Sequence, residues 1–288
     1  MTTDSSAARL TGWSGDEAYF RFEDVKFADS GGCLSEAIRV LRGDLLGVIY
    51  RNMVPADAMA SLVRRFQASK HRVLRGAEAP GEYIGTVHYL RPTKEYMEAA
   101  PQATAAIAEV LDGDGDPLAR FWHLLDQTLR QAGAQHRFAR YAGQNACPGL
   151  IRSLWSSGGY ALDPHEDMSQ CSDPRQSDFE IQGVTDFEVA ALNICIESAE
   201  GGRLLVWNIK PDALAKQRLG ISYEGVPYPL ASLTGVDRLA LRINAGDAYL
   251  FNSGHVHAVE PILGAQSRRT AIAALLGFIN ERTVVSWT

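Results

Sequence analysis

Apolar and polar positions change their period along this chain, and each change marks an element. AYFRFEDVKF at 18–27 alternates as a half-buried strand does, and LLGVIYRNM at 45–53 is an apolar strand. The period then turns helical. Met59, Leu62, Val63 and Phe66 fall three and four apart behind Pro55, a residue suited to a helix start. Residues 70–96 mix basic and aromatic side chains with Gly and Pro, which predicts a long loop or lid with one short strand. Two helices are expected next, over about 98–112 and 117–133, joined by the turn DGDGD at 112–116. That turn lacks the later Glu of a calcium-binding loop.

From about residue 149 the texture is different. LIRSLWSSGGYALDPHED, FEVAALNICIE, GGRLLVWNI, DRLALRINAG, DAYLFNS and RTAIAALLGFI are short β-rich runs separated by Gly, Pro and Asp turns. Gly158-Gly159 reads as the turn of a short β-hairpin. This order predicts an α+β protein with a β-sandwich or barrel core. The expected division is a mainly helical part over 1–148 and a β-core over 149–280. No Pro- or Ser-rich linker separates the two, so a single domain over 1–288 with one shared core is expected.

Composition narrows the function. Hydrophobic residues make up 46% and charged residues 22%, as in globular proteins. A formal charge of −6 offers no basic excess for phosphates, so no nucleic-acid partner is expected. There is no signal-peptide pattern and no membrane-length apolar run, so no membrane partner is expected. Cys33, Cys147, Cys171 and Cys195 form no CxxC pair. The expected setting is the cytoplasm, with reduced thiols.

The candidate chemistry lies in the β-rich half. In an extended segment, side chains at i and i+2 point to the same side. His165 and Asp167 of PHEDMSQ can therefore converge on one ion, while Glu166 points away. A second stretch, GDAYLFNSGHVHAVEP, carries His255 and His257, again two apart. Arg268 and Arg269 follow in ILGAQSRRTAIAALLGFI. Two imidazoles and one carboxylate on one face of a metal leave the opposite face open, which suits non-heme Fe(II). Mn(II), Co(II) and Zn(II) compete for the same donors.

In their order and strand context, these segments resemble the Fe(II)/2-oxoglutarate-dependent oxygenases over about 149–280. The resemblance rests on H-x-D at 165–167, on His257-Ala-Val259-Glu-Pro261, on Arg269-Thr270-Ala271-Ile272 and on the LN…GG pattern from Leu192 to Gly202. It implies a double-stranded β-helix (jelly-roll, cupin-like) core with the N-terminal helices packed on it. It implies Fe(II) on His165, Asp167 and His257, with His255 left to hydrogen bonding or the pocket rim. It implies 2-oxoglutarate with its far carboxylate on Arg269; Arg268 would point to the opposite face. The Ser often found two residues after that Arg is Ala271 here, so a partner hydroxyl would come from Tyr160 or Ser153. Asn193 would face the cosubstrate or serve the structure. Iron halogenases of the superfamily carry Gly or Ala in place of the carboxylate, and Asp167 fills that position.

The function so implied is O2-dependent hydroxylation of an unactivated C–H bond in a small, amino-acid-like metabolite, with release of succinate and CO2. Desaturation and oxidative cyclisation are alternative outcomes with the same cofactors. Arg152, Trp155, His88 and Arg91 are candidate substrate residues, and Arg75, Tyr89 and Tyr96 belong with the expected lid. Three other readings stay open: a cupin metalloenzyme independent of 2-oxoglutarate, a non-catalytic binding protein and a zinc hydrolase.

Overall fold

The computed structural model describes residues 9–76, 80–112 and 115–288. After a two-residue strand at Gly12–Trp13 come strand β1 (Phe22–Lys26), helix α1 (Ser35–Arg42) and strand β2 (Gly47–Arg51). Helix α2 (Ala56–Ala68) leads into a hairpin of β3 (Val73–Leu74) and β4 (Gly81–Ile84). Helices α3 (Thr93–Leu111) and α4 (Pro117–Gln131) precede β5 (Gln135–Phe138), β6 (Leu150–Trp155) and β7 (Leu162–His165). After short 3-10 turns come β8 (Val189–Glu197), β9 (Leu204–Trp207), α5 (Ala213–Leu219) and β10 (Arg238–Leu241). Strands β11 (Ala248–Asn252), β12 (His257–Val259), β13 (Arg268–Asn280) and β14 (Thr283–Trp287) complete the chain.

Local chemistry explains several boundaries. Asp116 accepts hydrogen bonds from the Leu118 and Ala119 amides while Pro117 opens α4, so the end of DGDGD is a helix cap. Residues 113 and 114 of that turn lie outside the described residues. Helix α3 starts at Thr93, earlier than its period predicted, because Tyr96 and Met97 are core residues rather than part of a lid. The Tyr96 hydroxyl accepts from the Cys147 amide (3.1 Å) and the Thr288 amide (3.3 Å).

The strands named above form two facing sheets, and two short pairs, 12–13 with 210–211 and 140–141 with 144–145, stand outside them. The larger has ten strands in the order β1-β2-β11-β8-β13-β6-β4-β3, with β14 beside β13 and β5 beyond it. The smaller has four, in the order β7-β12-β9-β10. Alternation along β8 sends Leu192 and Ile194 to one face and Ala191, Asn193 and Cys195 to the other. The first face packs on Leu62, Phe66, Ile107 and Phe121 of the helices. The second, joined by Tyr249 and Phe251 of β11, packs on Leu204 and Val206 of the small sheet. A further cluster of Leu205, Trp207, Val256 and Ala258 covers the outer face of the small sheet.

Two expectations change here. The segment 150–165 is no hairpin: β6 belongs to the large sheet and β7 to the small one, so Gly158-Gly159 lies in a crossover between sheets. The N-terminal half also carries more strand than expected. All of β1 to β5 join the large sheet, because β2 finds its partner in β11 and β5 in β14. The architecture is a mixed one, with helices on one face of a large sheet.

Candidate metal centre and anion pocket

His165 ends β7 and stands opposite His257 of β12 in the sheet register. Asp167 follows just beyond the strand, its amide bonded to the Ser253 carbonyl (2.9 Å). One ligand atom from each of these three residues lies within 4.8 Å of the other two. The imidazole rings are 4.0 Å apart between centroids. Each histidine binds the carbonyl two residues behind it through Nδ1: His165 to Asp163 (2.7 Å) and His257 to His255 (2.9 Å). A carbonyl only accepts, so Nδ1 carries the proton and Nε2 offers its lone pair to the centre. Asp167 turns one oxygen to the Gln170 amide (2.7 Å), while the other lies 3.7 Å from His257 Nε2.

Electrostatics agree with this reading. Burial pushes the His165 imidazole down to about 3 and the His257 imidazole to about 4, so both are neutral donors near neutral pH. Burial raises the Asp167 carboxyl, and the neighbouring His165 and Arg152 oppose that rise. The two Nε2 atoms and one carboxylate oxygen fit a metal ion of the Fe(II) type. Glu166 points away, as alternation requires. It is fully buried, accepts from the Ser169 amide (3.0 Å) and lies 3.1 Å from Lys216 Nζ of α5. This pair ties the H-x-D segment to the helix below it.

The facing sheet supplies cations. Arg269 and Leu154 are cross-strand partners, as are Ala271 and Arg152, so Arg269 and Arg152 share the inner face. Arg269 is buried and donates to the Tyr249 hydroxyl (2.8 Å). Burial works against its charge, yet Tyr249 and Cys195 hold its pKa above the usual value. Ala191, Ala271 and Ala273 give this face a floor of small side chains. Gly202, at φ 60, lies beneath the stem of Arg269, where a Cβ would come 3.4 Å from Arg269 Cδ. A Cβ on Gly201 would meet the Pro261 carbonyl oxygen at 2.3 Å, so this glycine pair permits a close crossing under the pocket. Arg152 donates to Asn193 Oδ1 (3.0 Å), while its buried Nε has no partner.

Other predicted residues stand elsewhere. Ser153 faces away from the pocket and is hydrogen-bonded to the Thr270 hydroxyl (2.9 Å), which donates to the Glu197 carboxylate (2.6 Å). Tyr160 packs on the outer face of the small sheet. Neither supplies a hydroxyl to Arg269; Tyr249 does. Trp155 also faces outward, under the Arg268 guanidinium at 4.9 Å, and Arg268 reaches Glu82 (3.4 Å). His88 is a core residue between Tyr96 and Trp287, bonded to Gln176 (2.9 Å). Arg91 donates to Thr86 (3.1 Å). His255 is buried between the Tyr19 hydroxyl (3.1 Å) and the Trp207 carbonyl (3.0 Å), both ring nitrogens engaged. The sequence reading missed Tyr249 and Gln170. Alternation within DAYLFNS does put Tyr249 beside Phe251 on the inner face, and a buried phenol needs a polar partner.

Two sheets, one presenting a two-histidine, one-carboxylate set and the other a buried arginine, define an Fe(II)- and 2-oxoglutarate-dependent oxygenase. The chain belongs to the family described as carrier-protein-independent halogenase WelO5, whose family model matches residues 21–287. It is 31% identical over 209 residues to an L-isoleucine 3(1)-dioxygenase of Pantoea ananatis (strain AJ13355), covering 71% of this chain and 69% of that protein. Its fold is similar to the crystal structure of an N-substituted L-amino acid dioxygenase from Burkholderia ambifaria AMMD. That match has a TM-score of 0.59 at 15% identity and covers 88% of this chain and 91% of the other. The same enzyme in complex with alpha-KG matches at a TM-score of 0.57. Among the described residues, no helix is long and apolar enough to cross a membrane.

Proposed function

We propose that this enzyme hydroxylates an unactivated C–H bond of a small aliphatic amino acid or a close derivative. The observation that carries the reading is the convergence of the His165 and His257 Nε2 atoms with one Asp167 oxygen, facing a sheet on which Arg269 is turned inward. In this reading His165, Asp167 and His257 hold Fe(II). Arg269, steadied by Tyr249, grips the far carboxylate of 2-oxoglutarate as a planar fork. Bound there, iron and 2-oxoglutarate supply the O2-dependent oxidation, with succinate and CO2 as coproducts. The protein's part is to orient the substrate, exclude water and keep the imidazoles unprotonated. We further assign the sandwich to a double-stranded β-helix within one domain, supported by sheet pairing between the two halves of the chain.

The family description names a halogenase. Asp167 fills the position that halogenases leave small, so a carboxylate occupies the place a halide would need. This favours hydroxylation, and the isoleucine dioxygenase relative supports an amino-acid substrate. The four cysteines are free, which suits a reducing cytoplasm. The test is anaerobic: Fe(II), then 2-oxoglutarate, added to metal-free protein, followed by aliphatic amino acids with O2. A visible iron-to-ketoacid charge-transfer band and amino-acid-dependent succinate release are expected. Folded, iron-loaded protein without the band would reject the reading.

A further inference from the structure

The inner face carries two guanidinium groups more than the cofactors use, those of Arg75 and Arg152. The Arg75 amide bonds to the Gly81 carbonyl (2.9 Å), continuing the β3–β4 pairing by one residue. Gly81 stands opposite Leu154, and Leu154 opposite Arg269. Arg75 therefore lies in the same cross-strand row as Arg269, at the outer edge of the sheet. In the next row, Val73 faces Tyr83 and Tyr83 faces Arg152. Arg75 and Arg152 so come together on one face, with Arg152 the nearer to the metal ligands. Neither forms an ion pair with a carboxylate among the described residues, and the buried Nε of Arg152 is unpartnered. Burial depresses both guanidinium pKa values, that of Arg152 to about 10, and the nearby Arg75 adds to the fall at Arg152. Two like charges withdrawn from water, with no ion-paired carboxylate among the described residues, are unfavourable unless an anion joins them.

That anion is not accounted for by 2-oxoglutarate. On the reading above Arg269 holds its far carboxylate, and the metal ion would hold its near one. We propose that Arg75 and Arg152 form a clamp for the carboxylate of the substrate, so that the enzyme selects free acids over neutral amides or esters. The β3–β4 hairpin then sets substrate specificity, since it brings Arg75 to the site. This inference rests on the proposed function, and the two fail separately. The charge-transfer band reports the cofactors, and discrimination between acid and amide reports the clamp.

The experiment is a titration of the anaerobic Fe(II)·2-oxoglutarate protein with free aliphatic amino acids, L-isoleucine first, and with their carboxamides. The perturbation of the band is the readout. The wild type should bind the acid about 30-fold or more tightly than the amide. Arg75→Gln should lose most of that preference while the KM for 2-oxoglutarate stays within about twofold, and Arg75→Lys should retain part of it. Equal binding of acid and amide by the wild type overturns the clamp. So does a rise in the 2-oxoglutarate KM of Arg75→Gln in place of the substrate effect, which would give Arg75 to the cosubstrate. A normal band with no binding of any acid also overturns it and leaves the cofactor assignment standing. If Arg75→Gln does not fold, Arg75→Lys and the acid-to-amide ratio of the wild type still decide.

Discussion

The two sheets that face each other across the pocket divide the chemistry between them. The small sheet and the loop beyond it carry the neutral imidazoles and the carboxylate. The large sheet carries arginines and a phenol, with alanines between them. The first set attracts a divalent cation and the second attracts carboxylates. Because the two groups stand on different strands with different neighbours, metal affinity and anion affinity should respond to different mutations.

The strongest test of that division is a pair of variants. Asp167→Ala should abolish hydroxylation and weaken iron binding and the charge-transfer band, since it removes a donor from the metal centre. Arg269→Ala should raise the KM for 2-oxoglutarate by about 100-fold while iron still binds with near wild-type affinity by calorimetry. Loss of iron binding in Arg269→Ala would erase the distinction between the sheets. A finer cut is Gln170→Ala, which frees one Asp167 oxygen. Iron affinity should fall by about 10- to 100-fold with little change in the cosubstrate KM. On the opposite sheet, Tyr249→Phe removes one hydrogen bond to a buried guanidinium. The 2-oxoglutarate KM should rise by about tenfold, and an unchanged value would show that Tyr249 does not steady Arg269.

The smallest effect lies in the scaffold outside both sets. His88 and His136 are buried and held near 4 against an ordinary 6.5, burial being the main cause in each. Their folded pKa values are depressed, so the unfolded chain takes up protons first as the pH falls. Stability should be level above 6.5 and decline between 6.5 and 4, by up to about 1.4 kcal/mol per pH unit for each group. His136→Phe, which keeps an aromatic ring against Trp122, should make the decline in melting temperature shallower; an unchanged slope would remove His136 from the account.

The sequence made much of the small sheet legible and less of the large one. H-x-D and H-x-V-x-P are local patterns, and alternation alone turns His165 and Asp167 one way and Glu166 the other. Arg269 was separable from Arg268 by the same rule. Arg152 was visible only as a basic residue near the ligands, because its inward direction depends on pairing with Ala271. Ser153 and Trp155 looked equally suitable but alternate with the inward Arg152 and Leu154, and Tyr160 lies in the crossover that joins the two sheets. His88 and Tyr96 looked like lid residues in a Gly- and Pro-rich stretch. Their burial is set by contacts with Trp287 and the Cys147 and Thr288 amides, which no local window contains.

The pairing of early strands with late ones also governs when the protein can fold during synthesis. β2, at 47–51, has to wait for β11 at 248–252, and β5, at 135–138, for β14 at 283–287. The central strand β8 is flanked only by β11 and β13, so the middle of the large sheet cannot close until nearly the whole chain has left the ribosome. A nascent chain ending near residue 148 would hold β2 and β5 as open edges, with the apolar faces of α2, α3 and α4 uncovered. Such contacts between distant parts of a chain fold slowly, and the waiting intermediate is the species a chaperone would meet.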